Sequence, residues 1–261
     1  MRAHHLLLIS LLWVSGFARA QSFDTINLHH TAPGTDGGTV GLVAYQAPRY
    51  LGSEDTQTQL RPWVSYQWAD GWFAGLDNGL GRNFSQQPGL LYGARLTLDM
   101  GRSGDTMAFR GQGQVPLQPE LGIFAIQETP AGFTVGGSIR HGSGNAADGT
   151  VVDLAVGFAT SLSPSWRLAT RVRATLADAA YMRSYFGVDA TQAASSVYPV
   201  FQARAGVRDT GWSASLTYVL AQRMALTGSC SGSTLGDEVR ASPWVRKDSA
   251  TTFALVLSYA L

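Results

Sequence analysis

From about residue 39 to the last residue, apolar and polar positions alternate with a period of two, the spacing of β-strands with two different faces. At the C-terminus Phe253, Leu255, Leu257, Tyr259 and Leu261 fall on one face, and Thr252, Ala254, Val256, Ser258 and Ala260 on the other. Trp212, Ala214, Leu216, Tyr218 and Leu220 likewise oppose Ser213, Ser215, Thr217 and Val219. Such segments run about 9 to 11 residues, the span of a tilted membrane strand. Tight turns fall at Ala69-Asp70-Gly71, Thr129-Pro130-Ala131-Gly132, Ser163-Pro164-Ser165 and Ala221-Gln222-Arg223. Longer connections are expected near 47–60, 77–89, 141–150, 177–197 and 233–249. Short turns at one end and long loops at the other predict an all-β transmembrane antiparallel β-barrel of about twelve strands, between about ten and fourteen. Counting Thr106 to Gln112 as a strand would make thirteen and end the chain on the wrong side, so a misread segment is expected within 100–120 or 200–233. No helix-period stretch of useful length appears.

The segment from Trp166 to Leu176 adds charge to the pattern. Trp166, Leu168, Thr170, Val172, Ala174 and Leu176 oppose Arg167, Ala169, Arg171, Arg173 and Thr175. Three arginines on one face need water or carboxylates opposite them, and a packed apolar core would not accept them unpaired. They are candidates for lining the lumen. Tyr45, Trp63, Trp68, Trp72, Phe73, Trp166, Trp212, Tyr218, Phe253 and Tyr259 lie near segment ends, where interfacial girdles belong.

Composition agrees. Mean hydropathy is +0.00, and only 14% of the 261 residues are charged, against about 25% in ordinary soluble domains. Apolar residues at 45% can bury a core, so disorder is excluded. A net charge of +1 gives no nucleic-acid footprint. The basic residues are 18 arginines and one lysine, Lys247. Met1 to His5, the apolar stretch Leu6 to Val14 and Ala18-Arg19-Ala20 form a secretory signal peptide pattern, with cleavage expected after Ala20. The expected organisation is a signal peptide over 1–20, an extended Gly-rich lead-in over 21–38 and an outer-membrane barrel over 39–261. The apolar leader is too short to anchor the chain. Cys230 is the one cysteine and cannot form an internal disulfide.

Catalytic chemistry finds little footing. His141 in Arg140-His141-Gly142-Ser143-Gly144-Asn145, with Ser143 and Asp148 nearby, is the one place a nucleophile and base could meet. The acids Glu54, Asp55, Asp70, Asp77, Asp99, Asp105, Glu120 and Glu128 are scattered rather than paired. No Cys/His spacing suits a metal. The reading is a non-enzyme with no cofactor. Asp178 to Val188 packs two tyrosines, a Phe and a Met into an expected loop. It reads either as a loop folded back to plug the lumen or as an exposed patch for a partner.

Tyr181-Met182-Arg183-Ser184-Tyr185-Phe186-Gly187-Val188 resembles the Tyr-Met-x-Ser-Tyr-Phe-Gly-Val signature of the MipA/OmpV family of outer-membrane proteins, whose members are MltA-interacting protein-like. Tyr50-Leu51-Gly52-Ser53-Glu54-Asp55 is similar to that family's first-loop motif, with Leu51 where an acid is common. Pieces at Tyr92 to Leu96, Phe109 to Gly113, Gly236-Asp237 and Ser242 to Val245 follow in order. The family's usual Tyr-x-Phe ending is here Tyr259-Ala260-Leu261; with Phe253 this end is the expected assembly signal. The resemblance implies a scaffold in murein synthesis, bridging a lytic transglycosylase and a penicillin-binding protein. In that reading Tyr181, Met182, Ser184, Tyr185, Phe186, Gly187 and Val188 are the possible interaction residues. Its surroundings would be outer-membrane lipid and the barrel-assembly machinery, with no nucleic acid. The alternative is a small-solute pore in which Arg167, Arg171 and Arg173 favour anions, and a lipid-active enzyme using His141 is a third reading.

Overall fold

In a computed structural model of the chain, residues 34–104 and 107–261 are described. The expected signal peptide and most of the lead-in lie outside the described residues. Twelve antiparallel strands close into a barrel: β1 (Gly37–Pro48), β2 (Thr56–Gln67), β3 (Trp72–Gly75), β4 (Gly79–Asn83), β5 (Leu90–Asp99), β6 (Gln118–Glu128), β7 (Phe133–Ser143), β8 (Gly149–Ser161), β9 (Trp166–Ala177), β10 (Gly206–Ala221), β11 (Met224–Leu235) and β12 (Ser249–Ala260). Closure is made by β1 and β12, in register from Thr39 opposite Ala260 to Gln46 opposite Phe253. The backbone N–H of Leu261 donates to the carbonyl of Gly38 at 3.0 Å and completes the seam. Closure pairs most of the backbone groups internally, as a lipid environment demands, and leaves one unpaired stretch along β2.

The alternation sorts the side chains. On β6, Leu121 and Ile123 face out at 68% and 60% exposure, while Glu120, Phe124 and Ile126 face in. On β12, Phe253, Leu255, Leu257 and Tyr259 are exposed and Thr252 is buried. An aromatic girdle rings the short-turn end, where Trp68, Trp72, Trp166, Tyr218 and Tyr259 are exposed and Trp166 lies 4.7 Å from Tyr218. Three expected girdle aromatics point the other way. Tyr45 and Phe73 are buried in the lumen, and Trp63 packs against the Val43, Tyr45 and Ala47 cluster. Their positions in the period place them inward, and near a strand end an aromatic serves either face.

The four expected tight turns are present, and the C-terminal strands match the reading. Other stretches differ. Strand β4 lies inside the expected connection 77–89, and Gly37–Gly38 already belong to β1. Within Thr106 to Gln112 the backbone forms a short 3-10 turn over Met107–Phe109, not a strand. Three helices occur where none was expected, all in loops: α1 (Ala179–Phe186), α2 (Ala190–Ser195) and α3 (Asp237–Arg240). They are too short to impose a readable period.

The β3–β4 hairpin is stunted. On that side β2 pairs only through Ser65 to Gln67, with one more bond from the N–H of Leu76 to the carbonyl of Val64 at 3.0 Å. Pro62 is the next position of the same parity toward the long-loop end. A proline suits a strand that has no neighbour there, since it has no N–H to leave unpaired.

Candidate functional site: a plugged lumen above a cavity

The lumen holds a plug at the long-loop end, a belt of charge beneath it, and a cavity reaching the short-turn end. The plug is built on α1. Asp178 caps the helix by accepting from the N–H of Tyr181 at 2.8 Å, and its other oxygen accepts from the N–H of Thr150 at 2.9 Å, tying the helix to β8. Tyr181, Met182, Tyr185 and Phe186 are buried, positions that share one side of a helix. Tyr181 and Tyr185 stack at 4.5 Å. Phe186 stacks on Trp244 at 5.5 Å, and Trp244 meets Phe109 at 4.9 Å. Ser242 donates to the carbonyl of Phe186 at 2.7 Å. Ser184 accepts from the N–H of Asn145 at 3.1 Å. Val188 bridges to Phe201. Gly187 is required by space: a Cβ there would sit 2.6 Å from the carbonyl oxygen of Arg183. Arg102 donates to the carbonyl of Tyr185 at 2.8 Å and lies over the Phe109 ring at 4.4 Å. Its burial pulls its pKa down to about 10. The aromatic, Met and Val side chains of the family-signature segment thereby pack in the barrel mouth, while the Arg183 side chain is exposed.

Below the plug a continuous hydrogen-bonded belt crosses β5 to β10. Thr97 donates to Glu120 at 2.8 Å. Arg140 bridges Glu120 at 2.9 Å and Asp153 at 3.0 Å. Thr175 donates to Asp153 at 2.9 Å and accepts from Arg173 at 3.2 Å. Arg173 pairs with Asp209 at 2.6 Å, and Arg208 joins the other oxygen of Asp209 at 2.7 Å and donates to the hydroxyl of Tyr181 at 3.0 Å. The belt therefore grips α1 directly. A second grip is the hydrogen bond from the Tyr185 hydroxyl to Asp99, whose other oxygen accepts from the N–H of Gly144 at 2.9 Å. Buried charges of both signs satisfy each other here, as burial demands.

Beneath the belt lies a cavity of about 510 Å³. Arg171 and Arg173 line it, and Arg167 follows on the same strand face nearer the turn. Arg173 is committed to Asp209, whereas Arg171 has no hydrogen bond or ion pair among the described residues. Above it a gap of about 20 Å³ shares Arg173, Ser233, Ala250 and Thr252 and reaches Tyr50 and Lys247. That is room for about one water molecule.

The catalytic candidates do not assemble. A bulge at Gly142 separates His141 from Ser143. His141 is exposed and bonded to Thr150 at 3.0 Å. Ser143 is buried and donates to Glu120. No group of three or more metal-ligating side chains occurs among the described residues. Phe253, Tyr259 and Leu261 stand on the outer face, at 55%, 43% and 57% exposure. Sequence reasoning missed the belt residues Glu120, Arg140, Asp153, Arg208 and Asp209 as a set. A signal existed in Asp153, which sits between Val152 and Leu154 at the inward position of its strand.

A closed twelve-stranded barrel with an apolar outer band, an aromatic girdle and short turns opposite long loops is an outer-membrane β-barrel. Within that class, the family described as MltA-interacting protein MipA matches residues 40–261, and the chain belongs to it. No curated protein matches the chain. Among solved structures, an outer membrane channel from Pseudomonas putida F1 aligns over 93% of this chain and 99% of its own, at 11% identity and a TM-score of 0.47. An anion-selective porin from Comamonas acidovorans covers 87% and 99%, at 10% identity and a TM-score of 0.40. The NanC porin covers 85% and 100%, at 9% identity and a TM-score of 0.49. Likenesses at this identity concern the barrel and not what passes through or binds it.

Proposed function

We propose that this barrel is a non-enzymatic outer-membrane scaffold that holds murein enzymes, a lytic transglycosylase and a penicillin-binding protein, at the inner surface of the outer membrane. The observation that carries the reading is the long-loop half of the lumen: α1, the aromatic cluster and the charge belt fill it above the blind cavity. A barrel so filled serves as a platform better than as a conduit. The family description, an MltA-interacting protein, supports the transglycosylase as one partner. Outer-membrane barrels keep their short turns in the periplasm, so the turns at 69–71, 129–132, 163–165 and 221–223 are the surface that faces such partners. Residues 1–20 act as the export signal in this reading, and the mature chain starts at Gln21. N-terminal sequencing of the membrane-inserted protein checks that start. Crosslinking in cells, with identification of the captured proteins, tests the scaffold: murein enzymes are expected, and their absence rejects it.

A second reading is a small-solute pore. It draws on Arg171, which faces the cavity without a partner, and on Arg167 and Arg173 along the same face. Planar-bilayer recordings separate the two readings. The scaffold predicts closed traces. Anion-selective steps that lose selectivity in Arg171→Gln would favour the pore.

A further inference from the structure

The cavity at the short-turn end has walls of two kinds. The register of β9 to β12 places Ser213, Ser231 and Thr252 in one cross-strand row with Arg171, and Ser215 with Ser229 in the next. These lumen-facing hydroxyls each donate and accept. Across from them stand Trp63, Leu91 and Ile126, with the Glu128 carboxylate farther along the same wall at the end of β6. Arg171 stands opposite Gly157 in the β8–β9 register, and both line the cavity. The deeper Arg173 is neutralised by Asp209. Arg171 is therefore left without an ion-pair partner among the described residues, in a half-buried position where charge is expensive to leave unmatched. Small-molecule sites typically enclose about 300 to 1,000 Å³, and this cavity holds about 510 Å³.

We propose that the cavity is a blind binding site for a monosaccharide acid, entered from the short-turn end. The carboxylate sits on Arg171, whose fork of donors matches it in a bidentate pair. The sugar hydroxyls meet the serine and threonine rows, and the apolar face of the ring lies on Trp63. The belt closes the inner end, so the ligand is held, not passed. This site stands independently of the scaffold reading.

The test is calorimetric titration of the detergent-solubilised full chain with glucuronate, galacturonate and N-acetylmuramate. Glucose, which has hydroxyls without the charge, and acetate, which has the charge without the hydroxyls, are the controls. At least one sugar acid is expected to bind one site per chain, at least about tenfold tighter than either control, since a hydrogen bond to a charged group is worth about that factor or more. Arg171→Gln should weaken binding by about tenfold or more while the heat-modifiable gel shift of the folded barrel persists. Ser231→Val reads the hydroxyl row separately and should weaken sugar acids but not acetate. Absence of saturable binding by all three acids, or binding unchanged in both variants, overturns the proposal. Neither result touches the crosslinking test of the scaffold.

Discussion

Replacing Arg140 by Met tests whether the charge belt holds the barrel together. The Arg140 side chain is 8% exposed and bonds Glu120 and Asp153, whose side chains are 2% and 4% exposed. Met keeps the bulk and removes the charge, leaving two buried carboxylates without their shared cation. Removing one partner of a buried ion pair costs about 3 to 5 kcal/mol. Two features lower the cost here. Glu120 keeps its bonds from Thr97 and Ser143, and Asp153 keeps Thr175 at 2.9 Å. Arg95 donates to Ser138 at 3.0 Å, and Ser138 lies 3.4 Å from Asp153, so another cation is at hand. The expected loss is about 3 kcal/mol, the lower end of that range. Reversible urea unfolding in lipid vesicles measures it. The triple variant Arg140→Met, Glu120→Gln, Asp153→Asn removes all three charges while keeping the shapes, and should recover more than half of the loss. A single variant costing under about 1 kcal/mol, the value of an exposed pair, or a triple variant no better than the single, would refute the belt as the structural element.

Four further outcomes follow from particular residues. Phe186→Ala deletes a ring that is 1% exposed and stacked on Trp244, and should cost about 3 to 5 kcal/mol in the same unfolding assay. Gly93→Ala would put a Cβ 1.9 Å from the carbonyl oxygen of Arg82, forcing β4 from β5 and lowering the fraction that runs as folded barrel on unheated gels. Tyr259→Ala should reduce outer-membrane insertion and Leu261→Phe should raise it, both read as the heat-modifiable fraction in membrane extracts. At the long-loop end the side-chain hydrogen bonds of Arg204, followed by its backbone N–H, hold the Glu238 carboxyl below its ordinary value. A carboxyl held low contributes stability above the ordinary carboxylate value, about 4.3, and loses it as pH falls through the lowered one. The Arg204–α3 contact should thus be intact at neutral pH and released in acid. NMR titration of the Glu238 carboxyl checks this, and Arg204→Gln should return its midpoint toward the ordinary value.

Much of the barrel wall was legible because a strand between lipid and lumen writes its two faces into alternate residues. On β9, Arg171 and Arg173 border the cavity, and on β12 the alternate residues Phe253, Leu255, Leu257 and Tyr259 are exposed, as that rule requires. Strand β4 was not legible, since Gly-Leu-Gly-Arg-Asn has five residues and two glycines, too few side chains to alternate. Helix α1 was legible only as an oddity of composition, because eight residues make about two turns. The belt was hidden for a different reason. Arg173 and Asp209 are 36 positions apart, and their meeting depends on the β9–β10 register, including the shift between Val207 and Asp209. Alternation tells which way a residue faces and not what it faces.

The plug bears on the choice between platform and pore through its energy. For α1 to leave the barrel mouth, Tyr181, Met182, Tyr185 and Phe186 must all come out of their packing. Each buried side chain of that size is worth about 1.5 to 3 kcal/mol, so four at the low end amount to about 6 kcal/mol. The hydrogen bonds of Tyr185 to Asp99 and of Arg208 to Tyr181 would be lost as well. Since about 1.4 kcal/mol corresponds to a factor of ten in population, the unplugged barrel should be populated at about one part in ten thousand or less. Long bilayer recordings read this population directly as open probability. A wild-type barrel open for more than about 1% of the time would mean that the plug costs under about 3 kcal/mol to move, and would turn the argument from the scaffold toward the pore. Phe186→Ala should raise whatever open probability the wild type has, because it weakens the plug and leaves the wall and the lumen arginines in place.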